Sequence, residues 1–165
     1  MFRRKNPHDA FAAALYTSTG ERARDRFLFE QCAIPDTLDG RFDALALLAA
    51  LVIERLRREP DGEELSQAFF DAMFRHLDLT LREIGVQDLG VGRRIKIMAE
   101  GFQGRALAYR SALASEDPAQ LNEALRRNAY GGRPPADPAA VAALEDYVRS
   151  EVARLAATPR NALIK

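Results

Sequence analysis

The apolar residues of this chain recur at helical spacing over most of its length. Between residues 91 and 113 they fall at steps of four and three, which places them on one face of an amphipathic helix. No stretch alternates with a period of two for long enough to form a β-strand, so the pattern predicts an all-α fold. The stripe consists of Val91, Ile95, Met98, Phe102, Ala106, Tyr109 and Leu113.

Residues 43–58 are apolar on nearly every side, and a helix of this kind is buried at the centre of a fold. We therefore predict a compact single-domain bundle of about seven helices around this buried central helix. Gly20 should interrupt the first helix, and glycine and proline clusters separate the later ones. The other predicted helices cover residues 9–19, 21–32, 63–84, 91–113, 117–130 and 138–157.

The stretch before the central helix has the residues of a helix start. Pro35 stops helix formation at the residue before it, while Asp36, Thr37 and Asp39 suit N-cap or turn positions. Gly40 permits a positive φ at this point. On these residues alone, the stretch is a helix start with capping chemistry.

Residues 78–110 contain a turn from about Gly85 to Gly90 between two helices, and glycines inside the second helix. Gly101 and Gly104 each cost roughly 1 kcal/mol relative to alanine, so a compensating contact is expected. Arg94, Gly101 and Arg105 fall on one line at the edge of the apolar stripe. Either another helix of the same chain packs closely there, or the arginines bracket a shallow groove.

The chain as a whole has 24 basic and 24 acidic residues, which argues against a general nucleic-acid-binding protein. Residues 91–110, however, contain five basic residues and one acid, and this excess marks either a solvated face or a binding surface. We expect Arg22, Arg24 and Arg26 to be solvated.

The sequence offers no recognisable catalytic or metal site. Cys32 is the only cysteine, which excludes a disulfide within the chain, and we expect it to be buried. His76 has no second ligand at metal-binding spacing. Catalytic and phosphate-binding motifs are also missing. We expect no metal, no cofactor and no catalysis.

No apolar run approaches the ~18 residues of a transmembrane helix, and the basic start of the chain lacks the apolar region of a signal peptide. We expect a soluble, cytoplasmic protein. Residues 1–7 are predicted to form a basic flexible tail, and residues 8–165 the single helical domain.

One long motif of the chain resembles the ubiquinol–cytochrome c chaperone family. It consists of residues 78–89, the basic residues after them and residues 98–109. A second signature that resembles the family lies at residues 34–43. The two motifs and their spacing cover about residues 13–115, and Gln103 departs from the tyrosine that is more frequent in the family. The chain resembles a bacterial-type member of the family. The membrane-associating N-terminal extension of the mitochondrial members has no counterpart in the sequence, so we do not expect a permanently membrane-anchored form.

The resemblance implies a non-catalytic assembly chaperone for the ubiquinol–cytochrome c reductase (bc1) complex. Its expected partner is newly synthesised cytochrome b, and the ribosome is a further expected partner. The chaperone is expected to come close to the inner membrane transiently and to have no transmembrane segment. The residues that match the main motif and are expected at the client surface are Asp78, Arg82, Glu83, Gly85, Val86, Asp88, Leu89, Arg94, Lys96, Met98, Phe102, Gly104, Arg105 and Tyr109.

The upstream motif is expected to support the architecture, with Arg41 able to pair with an acid elsewhere. It consists of Pro35, Asp36, Thr37, Asp39, Gly40, Arg41, Phe42 and Asp43. In the main motif, Met98, Phe102 and Tyr109 also belong to the core stripe, and they cannot all serve both the core and a client.

Two other functions stay open at this point. One is a helical adaptor that binds ribosomal RNA or another nucleic acid through the basic strip, for which a steep salt dependence is the expected sign. The other is an enzyme whose site forms only in three dimensions, which a deep polar pocket with shifted pKa values would favour.

Overall fold

The computed structural model describes residues 6–165, apart from the side chains of residues 88 and 89. The predicted all-α, single-domain bundle is confirmed, with seven α-helices and no strand among the described residues. Part of the predicted basic tail, residues 1–5, lies outside the described residues. The helices are α1 (Asp9–Arg22), α2 (Arg26–Glu30), α3 (Leu38–Leu56), α4 (Gly62–Glu83), α5 (Asp88–Ala114), α6 (Ala119–Asn128) and α7 (Pro138–Ala157), followed by a short 3-10 helix (Arg160–Ala162).

The predicted buried central helix is α3. All of residues 46–53 are buried, which covers every side of the helix, and α3 contacts α1, α4, α5 and α7. The helix begins at Leu38, earlier than the apolar pattern indicated. Its start is fixed by Thr37, whose side chain accepts a hydrogen bond of 3.1 Å from the Gly40 N–H.

Gly40 is required for space rather than for its backbone conformation. The glycines with positive φ do not include Gly40, so the positive φ that a glycine permits is not adopted here. A Cβ atom at this position would lie 1.8 Å from the carbonyl oxygen of Pro35. The loop before α3 therefore folds back tightly onto the first turn of the helix.

The first two helices differ from the prediction. Gly20 does not interrupt α1, which continues to Arg22 and packs Leu15 and Thr19 into the core. These contacts outweigh the low helix propensity of a single glycine. The predicted helix over residues 21–32 is reduced to the five residues of α2. The chain restarts there because the Asp25 side chain accepts a hydrogen bond of 3.0 Å from the Phe27 N–H.

Helix α7 is held on the core by polar contacts as well as by its apolar face. Arg55 of α3 donates a 3.0 Å hydrogen bond to the Leu155 carbonyl oxygen, near the end of α7. Glu151 is buried and accepts hydrogen bonds from Arg22 and Arg154. Burial would raise the pKa of Glu151, but the bonds from the two arginines lower it below the ordinary value. The expectation that Arg22 is simply solvated is therefore wrong.

A buried ion pair joins α3 to α5. The Arg105 guanidinium lies 2.7 Å from one carboxylate oxygen of Asp43, whose side chain is only 4% exposed. The other oxygen accepts a 3.1 Å hydrogen bond from the Gly131 N–H, in the turn that follows α6. Burial raises the pKa of Asp43 above its ordinary value, although Arg105 and Gly131 act in the opposite direction. One carboxylate thus connects three parts of the chain.

We expect Gly40→Ala to lower the free energy of unfolding by about 1–3 kcal/mol, because the added methyl group overlaps the Pro35 carbonyl. Gly101→Ala is the matched control. A Cβ there meets nothing within 4 Å, so the change should stabilise the protein by up to about 1 kcal/mol. Urea unfolding followed by circular dichroism measures both values. Equal stabilisation by the two substitutions would contradict the tight contact.

We expect Arg105→Met to lower the free energy of unfolding at neutral pH by about 3–5 kcal/mol, because it leaves the Asp43 carboxylate buried without its cation. Loss of Arg105 also raises the already raised pKa of Asp43 further. A raised folded-state pKa gives stability that is fully present below the unfolded pKa and is lost as the pH rises through the folded pKa. The destabilisation should therefore increase from acid to neutral pH.

Urea unfolding across this pH range measures the effect of Arg105→Met. The double variant Asp43→Asn/Arg105→Met is the control: it has no buried charge at this place, so its stability relative to the wild type should depend less on pH and recover part of the loss. A loss that is the same at every pH would rule out the buried carboxylate as its cause.

Candidate functional site

A cleft of about 330 Å³ opens where α1, the start of α3, the end of α4 and the start of α5 meet. We call it the motif cleft, because residues of both sequence motifs line it. Asp39, Arg41 and Phe42 come from the upstream motif, and Arg94 and Met98 from the downstream one. The full lining is Tyr16, Gly20, Ala23, Arg24, Leu38, Asp39, Arg41, Phe42, Leu45, His76, Leu77, Thr80, Leu81, Arg94 and Met98.

One wall of the motif cleft is the hairpin of α4 and α5. The chain reverses through Gly85, whose φ of +87° is in the region that favours glycine. Helix α5 starts at Asp88, three residues before the predicted start, since the Gln87 carbonyl already accepts hydrogen bonds from Gly90 (2.8 Å) and Val91 (3.1 Å). This short turn brings the first half of α5 alongside the end of α4.

The opposite wall is the start of α3. Arg41 pairs with Asp36 of the same motif at 2.7 Å, on the exposed surface. Phe42 is half-buried, and the Arg105 guanidinium lies 5.3 Å from the centre of its ring. Arg105 therefore contacts the cleft indirectly, through the position of Phe42.

The interior of the cleft is mainly apolar and includes Leu45, Leu77 and Leu81. Its buried polar group is satisfied within the chain, because the Tyr16 hydroxyl and Nδ1 of His76 form a 2.8 Å hydrogen bond. Burial raises the pKa of Tyr16, so its hydroxyl stays protonated at neutral pH. Such an interior favours apolar groups over polar ones.

The charges at the mouth of the cleft are mainly positive. Arg24 and Arg94 are both exposed, and neither forms an ion pair among the described residues. Asp39 is the only acid among the lining residues. Arg24, which sequence reasoning treated as solvated, thus lies at the same opening as the motif residue Arg94.

Gly101 and Gly104 of α5 do not pack closely against another helix within the described residues. A Cβ atom at Gly101 or Gly104 would meet nothing within 4 Å in the described part of the chain. The predicted close packing is therefore wrong, and Arg94 and Arg105 do not bracket a common groove, since Arg105 turns inward to Asp43. Gly104 instead lines a second, open groove between α3, α4 and α5.

Two motif residues expected at the client surface lie in the core. Phe102 and Tyr109 are buried, and the Phe102 ring packs against Phe70 and Phe74 at centroid distances of 5.8 and 6.2 Å. The buried Tyr109 hydroxyl has no hydrogen-bond partner among the described residues, and burial raises its pKa. Met98, Phe102 and Tyr109 cannot all serve both the core and a client, and of the three only Met98 lines the cleft.

The remaining motif residues lie along the α4–α5 hairpin without lining the cleft. Asp78 pairs with Arg82, one helical turn later, at 2.8 Å. Glu83 and Lys96 are exposed, and Val86 is half-buried. The side chains of Asp88 and Leu89 lie outside the described residues.

Sequence reasoning missed the α1 wall of the cleft. Tyr16 and Gly20 carry no local signal, because an aromatic residue and a glycine in a helix are common for reasons unrelated to binding. One signal was available: Leu15, Thr19 and Ala23 keep the helical spacing across Gly20, which indicates a continuous helix. The bond between His76 and Tyr16 was also missed, because the two residues lie far apart in the sequence.

Two further observations concern membranes and metals. None of the helices within the described residues is long and apolar enough to cross a membrane. The same part of the chain contains no group of three or more His, Cys, Asp or Glu residues placed to hold a metal ion.

The chain is similar to known proteins over nearly its whole length. The Xenopus laevis protein named Ubiquinol-cytochrome-c reductase complex assembly factor 1 is 26% identical over 142 residues, which are 86% of this chain and 70% of the relative. The crystal structure of the Cbp3 homolog from Brucella abortus is 33% identical, with a TM-score of 0.78, and the match covers 99% of this chain and 90% of that one. The family model described as Ubiquinol-cytochrome C chaperone matches residues 30–165. Because this match covers well over half of the sequence, the chain belongs to the ubiquinol–cytochrome c chaperone family.

Proposed function

We propose that this chain is a non-catalytic chaperone that binds newly synthesised cytochrome b and assists early assembly of the ubiquinol–cytochrome c reductase (bc1) complex. The observation that carries the proposal is that both motif stretches contribute to one apolar cleft. The name of the frog relative, an assembly factor of that complex, supports the same role. Such binding is reversible and requires no catalytic group.

The chemistry of the cleft suits a client that is normally embedded in a membrane. Before assembly, such a client exposes apolar side chains to water, which is unfavourable. Transfer of one leucine- or phenylalanine-sized side chain onto the apolar interior is worth about 1.5–3 kcal/mol. The flexible thioether of Met98 adapts to different side-chain shapes. A few such contacts give an affinity that still permits release.

The role also bears on location. Cytochrome b is a membrane protein, so its chaperone must reach the membrane at which the client is inserted. We propose a cytoplasmic protein that contacts the inner membrane only transiently.

The first test is to fill the cleft. Gly20 lines it, and a Cβ atom there would meet only the Arg24 guanidinium at 3.8 Å, an ordinary contact distance. We expect Gly20→Leu to fold normally and to lower the amount of newly synthesised cytochrome b that co-purifies with the protein by about tenfold, which corresponds to about 1.4 kcal/mol. Pulse-labelling followed by affinity purification measures this amount.

Gly101→Leu is the matched control, because Gly101 is also an open helical glycine but does not line the cleft. It should capture cytochrome b as the wild type does. If Gly101→Leu removes capture and Gly20→Leu does not, the client binds the outer face of α5 and not the cleft. If the wild type captures no cytochrome b, the proposed client is wrong.

A ribosomal RNA adaptor is the second candidate function, and one observation favours it. Arg93, Arg94 and Lys96 are exposed on the first turns of α5, without ion pairs among the described residues. Cations of this kind are available for phosphate groups.

The RNA candidate makes a distinct prediction. Three phosphate contacts to single-stranded RNA would give a slope of log K against log salt of about −2. Arg93→Glu and Arg94→Glu would then weaken binding of a ribosomal RNA fragment to a similar extent. In the cleft proposal, by contrast, only Arg94→Glu affects capture of cytochrome b. Fluorescence anisotropy with a labelled fragment distinguishes the two, and no RNA binding at low salt excludes the adaptor.

A further inference from the structure

We propose that the motif cleft recognises an acidic amphipathic peptide segment, whose apolar side chains enter the cleft while its acidic side chains pair with Arg24 and Arg94. The inference rests on the proposed function, because it takes the cleft as the client-binding site. It adds the chemistry of the client segment, which neither the family nor the relatives specify.

The charges at the opening of the cleft are mainly positive. Arg24 follows α1 and Arg94 lies on α5, so the two guanidinium groups come from different walls of the cleft. Arg41, the third arginine of the lining, is already paired with Asp36 at 2.7 Å. Asp39 offsets only part of the remaining positive charge. A ligand with acidic groups would complement Arg24 and Arg94.

The hydroxyl groups of the walls are hydrogen-bonded within the chain. Tyr16 and His76 bond to each other at 2.8 Å. The Thr80 hydroxyl donates a 3.0 Å hydrogen bond to the His76 carbonyl oxygen. Among the charged lining residues, Arg24, Arg94 and Asp39 form no ion pair within the described residues. Because the two arginines outnumber the one acid, the charges open to a ligand attract mainly anions.

The apolar surface continues outside the cleft on both sides. Leu77 and Leu81 line the cleft, and Ile84 lies one turn further along the same face of α4 with 55% of its surface exposed. The helix rises by roughly 10 Å between Leu77 and Ile84. On the other side of the cleft, Leu38 is 54% exposed. The apolar surface therefore extends beyond a cavity of about 330 Å³, which suits a peptide segment.

A lipid bilayer fits this surface less well than a peptide does. Arg24 and Arg94 both line a cleft between α1 and the α4–α5 hairpin. A flat membrane surface cannot enter such an opening, so the apolar interior would stay in contact with water. A peptide segment can place side chains inside the cleft while its charged side chains remain at the rim.

The test uses charge reversal and two synthetic peptides. The peptides share one set of leucines at helical spacing, and their polar positions carry glutamate in one peptide and lysine in the other. We expect the wild type to bind the glutamate peptide about tenfold more tightly than the lysine peptide at low salt. Arg24→Glu/Arg94→Glu should reverse this preference. Fluorescence anisotropy with the labelled peptides measures both affinities.

The matched control is Arg75→Glu/Arg133→Glu. Both residues are exposed and neither lines the cleft, so this variant changes the net charge equally. It should keep the preference for the glutamate peptide. Circular dichroism and urea unfolding establish that each variant is folded. A reversal of preference is not expected from a merely destabilised protein, because destabilisation would weaken the binding of both peptides alike.

The other outcomes overturn the inference. An unchanged preference in Arg24→Glu/Arg94→Glu, or an equal shift in the control variant, shows that the cleft arginines do not select the ligand. The wild type could instead bind phosphatidylglycerol vesicles and neither peptide. If Arg24→Glu/Arg94→Glu then loses vesicle binding, the site is one for anionic lipid. If Gly20→Leu abolishes capture of cytochrome b but Arg24→Glu/Arg94→Glu leaves the peptide affinities unchanged, only this inference fails and the proposed function stands.

Discussion

The Asp43–Arg105 ion pair determines how the two motif stretches meet. A buried pair of charges adds little net stability, because desolvation of both groups offsets their attraction. Its effect is on specificity, since any arrangement that separates the two groups leaves Asp43 charged and buried. The pair therefore fixes the position of α5 against α3. Because Arg105 also lies over Phe42, the same contact sets one wall of the motif cleft.

Helix α5 has different tasks on its two sides. Phe102 and Tyr109 anchor it in the core, where both side chains are buried. On the outer side, Gly101 and Gly104 lower the helix propensity, and no contact within the described chain compensates for it. The hairpin of α4 and α5 is thus held by one face only. This arrangement leaves the first half of α5, with Arg94, free to form the rim of the cleft.

The features that could be predicted from the sequence are those that depend on local pattern. The buried central helix, the turn at Gly85 and the break at residues 131–135 follow from apolar periodicity and glycine chemistry. The cleft was not predictable in the same way, because residues 16–24 and 38–45 come together with α4 and α5 only through tertiary packing. The prediction at Gly20 failed for a related reason, since local propensity gave way to the contacts of α1 with the core.

A family motif mixes residues that build the fold with residues that face a partner, and charge pairing helps to separate them. Arg105 belongs to the motif and has a buried acid as its partner, so its role in the chain is accounted for by the fold. Arg94 belongs to the same motif, lines the apolar cleft and is exposed, with no ion pair among the described residues. In a chain with equal numbers of acids and bases, a cation left unpaired beside apolar surface is one that stability alone does not explain. We propose that a partner outside the chain provides the explanation that the fold lacks.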